Sequence, residues 1–209
     1  MKQFWQELKY AFYVIVHPFD GFWCIKREGK GSIKVANFIV FMLLITSVLS
    51  KQCTSFAFNL TDKDALNIFK ECLLVILPIA LWCVAGWSIT TLMDGEGKPR
   101  DIYISCVYST LPLILLNLPL VPITHMLSLD EGSLYALVQG AAILWTAFLL
   151  FIATMTVHQY TIGKTILMIL LMILGMALII FLVLLFFVLI QQLINFIYVM
   201  YKEFSLRFM

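Results

Sequence analysis

Long apolar stretches are the feature that most limits what this chain can fold into. They lie at about 33–49, 69–92, 102–118, 134–155 and 165–190, and a helix needs roughly 20 such residues to cross a bilayer. Only 12% of the residues are charged and 62% are hydrophobic, whereas a soluble domain carries about 25% charged residues. We therefore predict an all-α integral membrane protein with five transmembrane helices.

A shorter amphipathic segment precedes these stretches. Residues 2–16 read as a helix whose bulky apolar side chains recur at helical spacing, and Pro18 ends it. Tryptophan, phenylalanine and lysine in this arrangement suit a helix that lies in the membrane interface. We therefore predict an N-terminal interfacial helix with this apolar face: Phe4, Trp5, Leu8, Phe12, Ile15 and Val16.

Residues 17–32, HPFDGFWCIKREGKGS, are predicted to form a loop. Its first half is aromatic around Asp20 and Gly21, and its second half is basic. Aromatic and basic residues just before a span are typical of an interfacial belt that faces anionic lipid. A second interpretation is a structured cytosolic plug that packs against the turns on the same side. Residues 1–32 would then form the cytosolic N-terminal segment.

The distribution of lysine and arginine indicates the orientation. Cytosolic loops carry an excess of these residues, and the first segment usually dominates. With five spans, this rule places the N-terminus in the cytosol, the membrane domain at 33–190 and a helical extension at 191–209 on the other side. We expect a multi-pass protein of the cell membrane. One side carries Lys2, Lys9, Lys26, Arg27, Lys30, Lys34, Lys98, Arg100 and Lys164, and the other carries Lys51, Lys63, Lys70, Lys202 and Arg207.

Two prolines fall inside the predicted spans, at Pro78 and Pro112, and two more, Pro119 and Pro122, directly follow the third span. Proline kinks a membrane helix, and neighbouring helices can satisfy the carbonyl that it frees. We predict a kink at each, and a third span that is broken or re-entrant beyond Leu118. The last apolar pattern continues past residue 190, so that this helix either emerges from the membrane or bends near Gln191.

The turn at 93–100, MDGEGKPR, is the main polar interruption between two spans. Its acidic residues admit a divalent-cation loop, but the ligand series is too short for an EF-hand. A hairpin with Asp101 as the cap of the next helix is the simpler interpretation. The third interpretation of this turn is a docking point for a cytosolic partner. We predict no metal site here.

The motifs of common enzymes are missing from the sequence. It has no phosphate-binding loop, zinc-binding HExxH or nucleophile elbow, and His17, His125 and His158 are dispersed. Glu71 and Asp101 are expected at helix ends, where water or caps are available. The predicted spans otherwise contain essentially no ionisable side chain. Because intramembrane charges mark proton and ion pathways, this lack argues against a proton-coupled pump. We predict no catalysis, no cofactor and no nucleic-acid partner.

Several residues carry a resemblance to a known family. LMDGEG at 92–97, followed by Asp101, Tyr108 and Pro112, resembles the Yip (Ypt-interacting protein) domain, and YTIGKT at 160–165 is a weaker match. HPFDGFW and the last span are similar to bacterial, Firmicutes-type members. The resemblance implies a five-span protein with a cytosolic N-terminus. In eukaryotic members it implies membrane trafficking and contact with Rab-type GTPases, and in bacterial members an architecture without an assigned activity.

The sequence is compatible with two alternative functions. The first is a membrane adaptor or scaffold that contacts a protein or lipid on the cytosolic face. The alternative is an accessory subunit or small-solute permease of a transport complex. The bilayer is a partner in both. The expected interaction surface consists of His17, Asp20, Gly21, Trp23, Asp94, Gly95, Glu96, Gly97, Gly163 and Lys164.

Overall fold

The computed structural model describes residues 2–59, 67–93 and 95–208, and the regular structure in these ranges is helical. Within them, five helical spans are long and apolar enough to cross a membrane, with α5 and α6 together forming the third. This confirms the predicted all-α, five-span architecture with a helix before the first span. The helices are α1 (Lys2–Val16), α2 (Pro18–Glu28), α3 (Ile33–Cys53), α4 (Ile68–Leu92), α5 (Pro99–Ser109), α6 (Leu111–Ile123), α7 (Gly132–His158) and α8 (Ile162–Phe208).

The third span is the centre of the bundle. Its helices pack against α3, α4 and α7, and Ile104, Val107 and Tyr108 are completely enclosed. The outer spans expose most of their leucine, isoleucine and phenylalanine side chains, which suits lipid as their solvent. Successive spans run in opposite directions. The turns at 93–98 and 159–161 therefore share one end of the bundle with α1 and α2, which we call the N-terminal end.

The predicted irregularity of the third span lies elsewhere than expected. Its helix breaks at Thr110, and Pro112 occupies the first turn of α6, where its missing N–H leaves no hydrogen bond unmade. The expectation of a broken or re-entrant end beyond Leu118 is wrong, because α6 continues through Pro119 and Pro122 to Ile123. Proline removes one donor but keeps helical φ, so packed neighbours can hold the helix. Pro78 likewise lies inside the continuous α4.

The predicted loop at 17–32 is mostly a helix, which corrects the sequence interpretation. Proline at the first position favours the start of α2, and Gly29, with φ of 66°, ends it in the left-handed conformation. Phe22 and Ile25 are buried in the same core as the third span. The apolar spacing of α2 therefore describes a helix face, and Asp20-Gly21 forms no turn.

The N-terminal helix over 2–16 is confirmed, but one of its two apolar faces packs against the bundle. Ala11 and Val14 are completely buried there. Of the predicted apolar face, Phe4, Leu8 and Ile15 pack against the same core. Its other members, Trp5, Phe12 and Val16, are exposed on the outside. A helix that is apolar on two sides can contact protein on one and lipid on the other. Its place in the membrane interface stays a prediction.

The last helix, α8, is continuous over 47 residues and is not interrupted at Gln191. It packs mainly against α4, with Thr165, Met168 and Met172 completely buried. The structure thus decides between the two possibilities that the sequence leaves open, because the segment after residue 190 extends the last span as a helix.

Candidate functional sites at the N-terminal end and in the membrane

Three segments that are distant in sequence meet at the N-terminal end of the bundle. The hydroxyl of Tyr160, after α7, donates to the carbonyl of Met93, after α4, at 3.2 Å. Lys26 of α2 donates to the carbonyl of Glu96. These contacts join the first helices to both turns of this end. We call this group the turn cluster, and it consists of Lys26, Thr90, Met93, 95–97, His158 and Tyr160.

The two glycines of the turn allow it to lie directly on aromatic rings. The rings of His158 and Tyr160 stack with centroids 5.6 Å apart. A β-carbon on Gly95 would overlap the Tyr160 hydroxyl, and one on Gly97 would overlap the His158 ring. Steric contact with these rings therefore explains why the DGEG pattern has glycine at both positions. It keeps the turn between α4 and α5 close to the end of α7.

His158 holds this end of α7 to α4. The imidazole is 3% exposed, and its Nδ1 lies 3.0 Å from Oγ1 of Thr90. The Thr90 hydroxyl donates its only proton to the carbonyl of Gly86 at 2.5 Å, so Nδ1 of His158 must be the donor. The bond fixes the tautomer and satisfies a buried polar group. The sequence interpretation of His158 as one of three dispersed histidines misses this role.

Hydrogen bonds to backbone groups tie the N-terminal helices to the bundle. Tyr10 of α1 donates to the carbonyl of Gly21 in α2 at 2.7 Å, and burial raises the pKa of Tyr10, which keeps it a donor. Arg100 donates to the carbonyl of Gly31 at 3.3 Å. The hydroxyl of Tyr108 accepts from the N–H of Ser32 at 3.3 Å. Residues of the family resemblance thus anchor the segment before the first span.

The residues in and next to α2 that the sequence assigns to an interaction surface are partly buried and partly exposed. Gly21 is buried, with Cβ space limited by Val14 of α1 at 2.8 Å, so it serves the crossing of the two helices. His17 stacks on Tyr13 with centroids 4.8 Å apart. Asp20 and Trp23 are exposed on the outer side. Only the last two line a common groove.

Asp20 and Trp23 line a groove between α2 and the end of α7. Its volume is about 580 Å³, and we call it the α2–α7 groove. Trp23 is 47% exposed. The wall contributed by α7 and the following turn consists of Met155, Thr156, Gln159 and Tyr160, and α2 adds Phe19.

The remaining predicted surface residues do not join this groove. Gly163 and Lys164 are exposed in the first turn of α8, and a β-carbon on Gly163 would meet no atom within 4 Å. The side chain of Glu96 is exposed, and only its carbonyl takes part in the turn cluster. Asp94 lies outside the described residues. Asp101 is in the first turn of α5, which begins at Pro99, so it is not the N-cap.

A second site lies in the opposite half of the bundle. A cavity of about 560 Å³ lies between α3, α4, α6 and α7, and we call it the membrane cavity. Its polar lining includes Lys51, Thr110, Asn117 and Gln139. The apolar part of the lining comes mainly from α4 and α6, through Leu74, Val75, Pro78, Ile79 and Leu113.

A buried ion pair lies at the end of the membrane cavity that faces away from the N-terminal end. Nζ of Lys51, a lining residue, is 2.6 Å from Oε1 of Glu71, whose other oxygen accepts from Ser47 at 3.2 Å. Glu71 is only 4% exposed. Glu71 lies in the first turn of α4, at a helix end as expected, and the end of α3 supplies its partners. Such a carboxylate depends on its partner.

The membrane cavity ends at the centre of the bundle. Toward the N-terminal end, Ile104, Val107 and Tyr108 are completely buried. A void of only about 10 Å³ lies beside Ser105 and His158. In this conformation the described residues therefore form a pocket that is open on one side.

The fold and the two sites define a polytopic α-helical membrane protein whose N-terminal helices are hydrogen-bonded to the rest of the bundle. A family model of the Yip1 domain matches residues 12–185, and the chain belongs to the Yip family. No curated protein and no solved structure matches the chain significantly. In the described ranges, no three histidine, cysteine or acidic side chains come close enough to hold a metal.

Proposed function

We propose that this protein is a non-enzymatic membrane adaptor that binds the helix of a membrane-protein partner in the α2–α7 groove. The observation that carries the proposal is the exposed pair of Trp23 and Asp20, held on a rigid end of the bundle. Exposed tryptophan in a pocket is typical of interaction hot spots. The carboxylate of Asp20 would repel anionic lipid, so it favours a partner helix with a basic residue.

We also propose that this end faces the cytosol, that the C-terminus lies on the other side, and that the membrane is the cell membrane of a Firmicutes-type bacterium. The excess of lysine and arginine at the N-terminal end supports the orientation. The similarity of HPFDGFW to bacterial members supports the source. The proposed partner is then a bacterial membrane protein.

Replacing Trp23 by alanine is expected to lower partner recovery at least tenfold, because truncating an interface tryptophan commonly costs about 2 kcal/mol or more. Asp20→Ala should also weaken recovery. The measurement is crosslinking in native membranes, followed by purification and quantitative mass spectrometry. Trp145→Ala is the matched control, because Trp145 is also 47% exposed but lies on α7 away from the groove. Equal recovery with Trp23→Ala and wild type would refute the adaptor proposal.

The orientation has its own test in intact cells. Cys53 is an exposed thiol at the end of α3 opposite the turn cluster. We expect a membrane-impermeant maleimide added outside the cells to label it, while Cys24 of α2 should react only after the cells are opened. Cys53→Ser and Cys24→Ser identify the two signals. Labelling of Cys24 in intact cells would reverse the proposed orientation.

A second candidate function is the accessory subunit or small-solute permease. The membrane cavity favours it, since polar groups reach the break of the third span at Thr110. The filled space around Ile104, Val107 and Tyr108 opposes a pathway through the bundle in this conformation. Uptake of a polyol such as glycerol into vesicles containing the protein would be the supporting result.

A further inference from the structure

A cleft with several charged side chains lies at the N-terminal end, between α1, the start of α3 and the start of α5. Its volume is about 760 Å³, and we call it the basic cleft. Lys34 is the second residue of the first span, Ile33–Cys53, and Arg100 is the second residue of the third, Pro99–Ile123. Because two spans begin at its wall, the basic cleft lies at the membrane–water interface. Its charged lining residues are Glu7, Lys30, Lys34 and Arg100.

Close packing of the link between α2 and α3 gives the basic cleft its shape. A β-carbon on Gly31 would lie 2.8 Å from Cγ2 of Ile104 and 3.0 Å from Cγ2 of Ile25, so glycine lets the link pass directly over α5. Nη2 of Arg100 donates to the carbonyl of Gly31 at 3.3 Å, which occupies one of the five N–H donors of the guanidinium. The planar guanidinium matches the oxygens of a phosphate. The fold therefore holds a phosphate-binding side chain at this position.

The charges around the basic cleft select the charge of a ligand. Nζ of Lys30 lies 2.6 Å from Oε2 of Glu28, so this pair has no net charge. Glu7 offsets one of the two other cations, Lys34 and Arg100. Among the described lining residues and the acid paired with Lys30, one positive charge is thus in excess. A phosphodiester, with its single negative charge, restores neutrality, whereas a zwitterion leaves the excess in place.

An apolar surface leads from the basic cleft into the membrane. Phe4, at the cleft wall, packs edge-on against Phe38 of α3, with ring centroids 5.6 Å apart. Phe41 follows Lys34 by seven residues, which places both on one face of α3, about 10 Å apart along its axis. The side chain of Phe41 is 56% exposed. A lipid whose phosphate lies at Lys34 therefore contacts Phe41 with an acyl chain, whereas a free phosphate makes no use of this surface.

We propose that the basic cleft binds one phospholipid with a single net negative charge, from the leaflet at the N-terminal end. Lys34 and Arg100 donate to the phosphodiester oxygens, and an acyl chain lies along Phe41. Basic pockets between membrane helices bind anionic head groups, and about 760 Å³ is within the roughly 300–1,000 Å³ of ligand pockets. The basic cleft shares no lining residue with the α2–α7 groove. The proposal therefore does not depend on the adaptor function or on which side of the membrane this end faces.

The test titrates the full chain in detergent micelles with dioleoylphosphatidylglycerol and counts bound lipids by native mass spectrometry. We expect saturation at one lipid per chain, held about tenfold more tightly than the zwitterionic dioleoylphosphatidylcholine. Inorganic phosphate should not displace it. Equal binding of both lipids, or binding without saturation, would indicate only a diffuse attraction to the basic surface. Displacement by phosphate would indicate a site for soluble anions. Each of these results would overturn the proposal.

Lys34→Gln separates lipid binding from folding, because Lys34 is exposed. The substitution should weaken dioleoylphosphatidylglycerol binding about fivefold and leave the unfolding temperature unchanged. Lys164→Gln is the matched control, since Lys164 is also exposed in the first turn of a spanning helix at this end but lies outside the cleft. Glu7→Gln should tighten binding about threefold, because it raises the excess of positive charge. Undiminished binding by Lys34→Gln, or the same loss in Lys164→Gln, would contradict the assignment.

Discussion

Gly97→Ala is expected to destabilise the protein by about 1–3 kcal/mol, because an added methyl group overpacks a filled site. The new β-carbon would overlap the ring of His158, which cannot move without losing its bond to Thr90. Gly97→Val should cost more and lower the amount of protein in the membrane. The measurement is thermal unfolding of the purified protein, together with its abundance in membranes.

Gly163→Ala is the matched control for this glycine. Its β-carbon meets no atom within 4 Å, and it lies in the first turn of α8, so alanine should be neutral or slightly stabilising. A double-mutant cycle with His158→Ala gives a second check. Removing the ring should make the extra methyl of Gly97→Ala nearly harmless. If Gly97→Ala costs as much without the ring, the steric explanation is wrong.

Lys51→Met is expected to destabilise the protein by about 3 kcal/mol, the lower end of the range for breaking a buried ion pair. The substitution leaves the carboxylate of Glu71, 6% exposed in its side chain, without its cation. Glu71→Gln should cost less, because the Lys51 side chain is 36% exposed and can turn toward water. The order of these two effects follows from the unequal burial of the partners. Thermal unfolding of each variant measures it.

Lys70→Met provides the control for loss of a lysine near the same site. Lys70 precedes Glu71 in α4 but is exposed, so its replacement should change stability by less than about 0.5 kcal/mol. In the double variant Lys51→Met, Glu71→Gln, much of the lost stability should return, since no unpaired charge stays buried. Equal effects of Lys51→Met and Lys70→Met would show that the ion pair does not stabilise the fold.

The spans were predictable because a bilayer demands long apolar helices, and this demand can be read from sequence alone. The helix over 2–16 was predictable from its periodicity. The helix Pro18–Glu28 was missed because Asp20-Gly21 is a strong local turn signal. Gly21 instead permits the close crossing of α1 and α2 beside Val14, which is a tertiary requirement. The third span breaks at Thr110, just before Pro112, while it passes through Pro119 and Pro122.

Less of the two sites could be predicted. The LMDGEG pattern indicated an important turn, but its partners, His158 and Tyr160, are more than 60 residues away in sequence. The membrane cavity could not be predicted either, since Lys51 and Glu71 are 20 residues apart and become neighbours only after α3 and α4 pack. Trp23, which the sequence places in the expected interaction surface, is 47% exposed. Its function as a docking residue stays a prediction.

The length of α8 has a mechanical consequence. At 47 residues the helix is about 70 Å long, more than twice the hydrocarbon thickness of roughly 30 Å. After Met172 no described residue of α8 up to Phe204 is buried, so packing does not fix the direction of its distal part. Hydrophobic mismatch must then set its tilt. In a thinner bilayer the distal end should lean closer to the membrane plane, while the α4-bound base keeps its position.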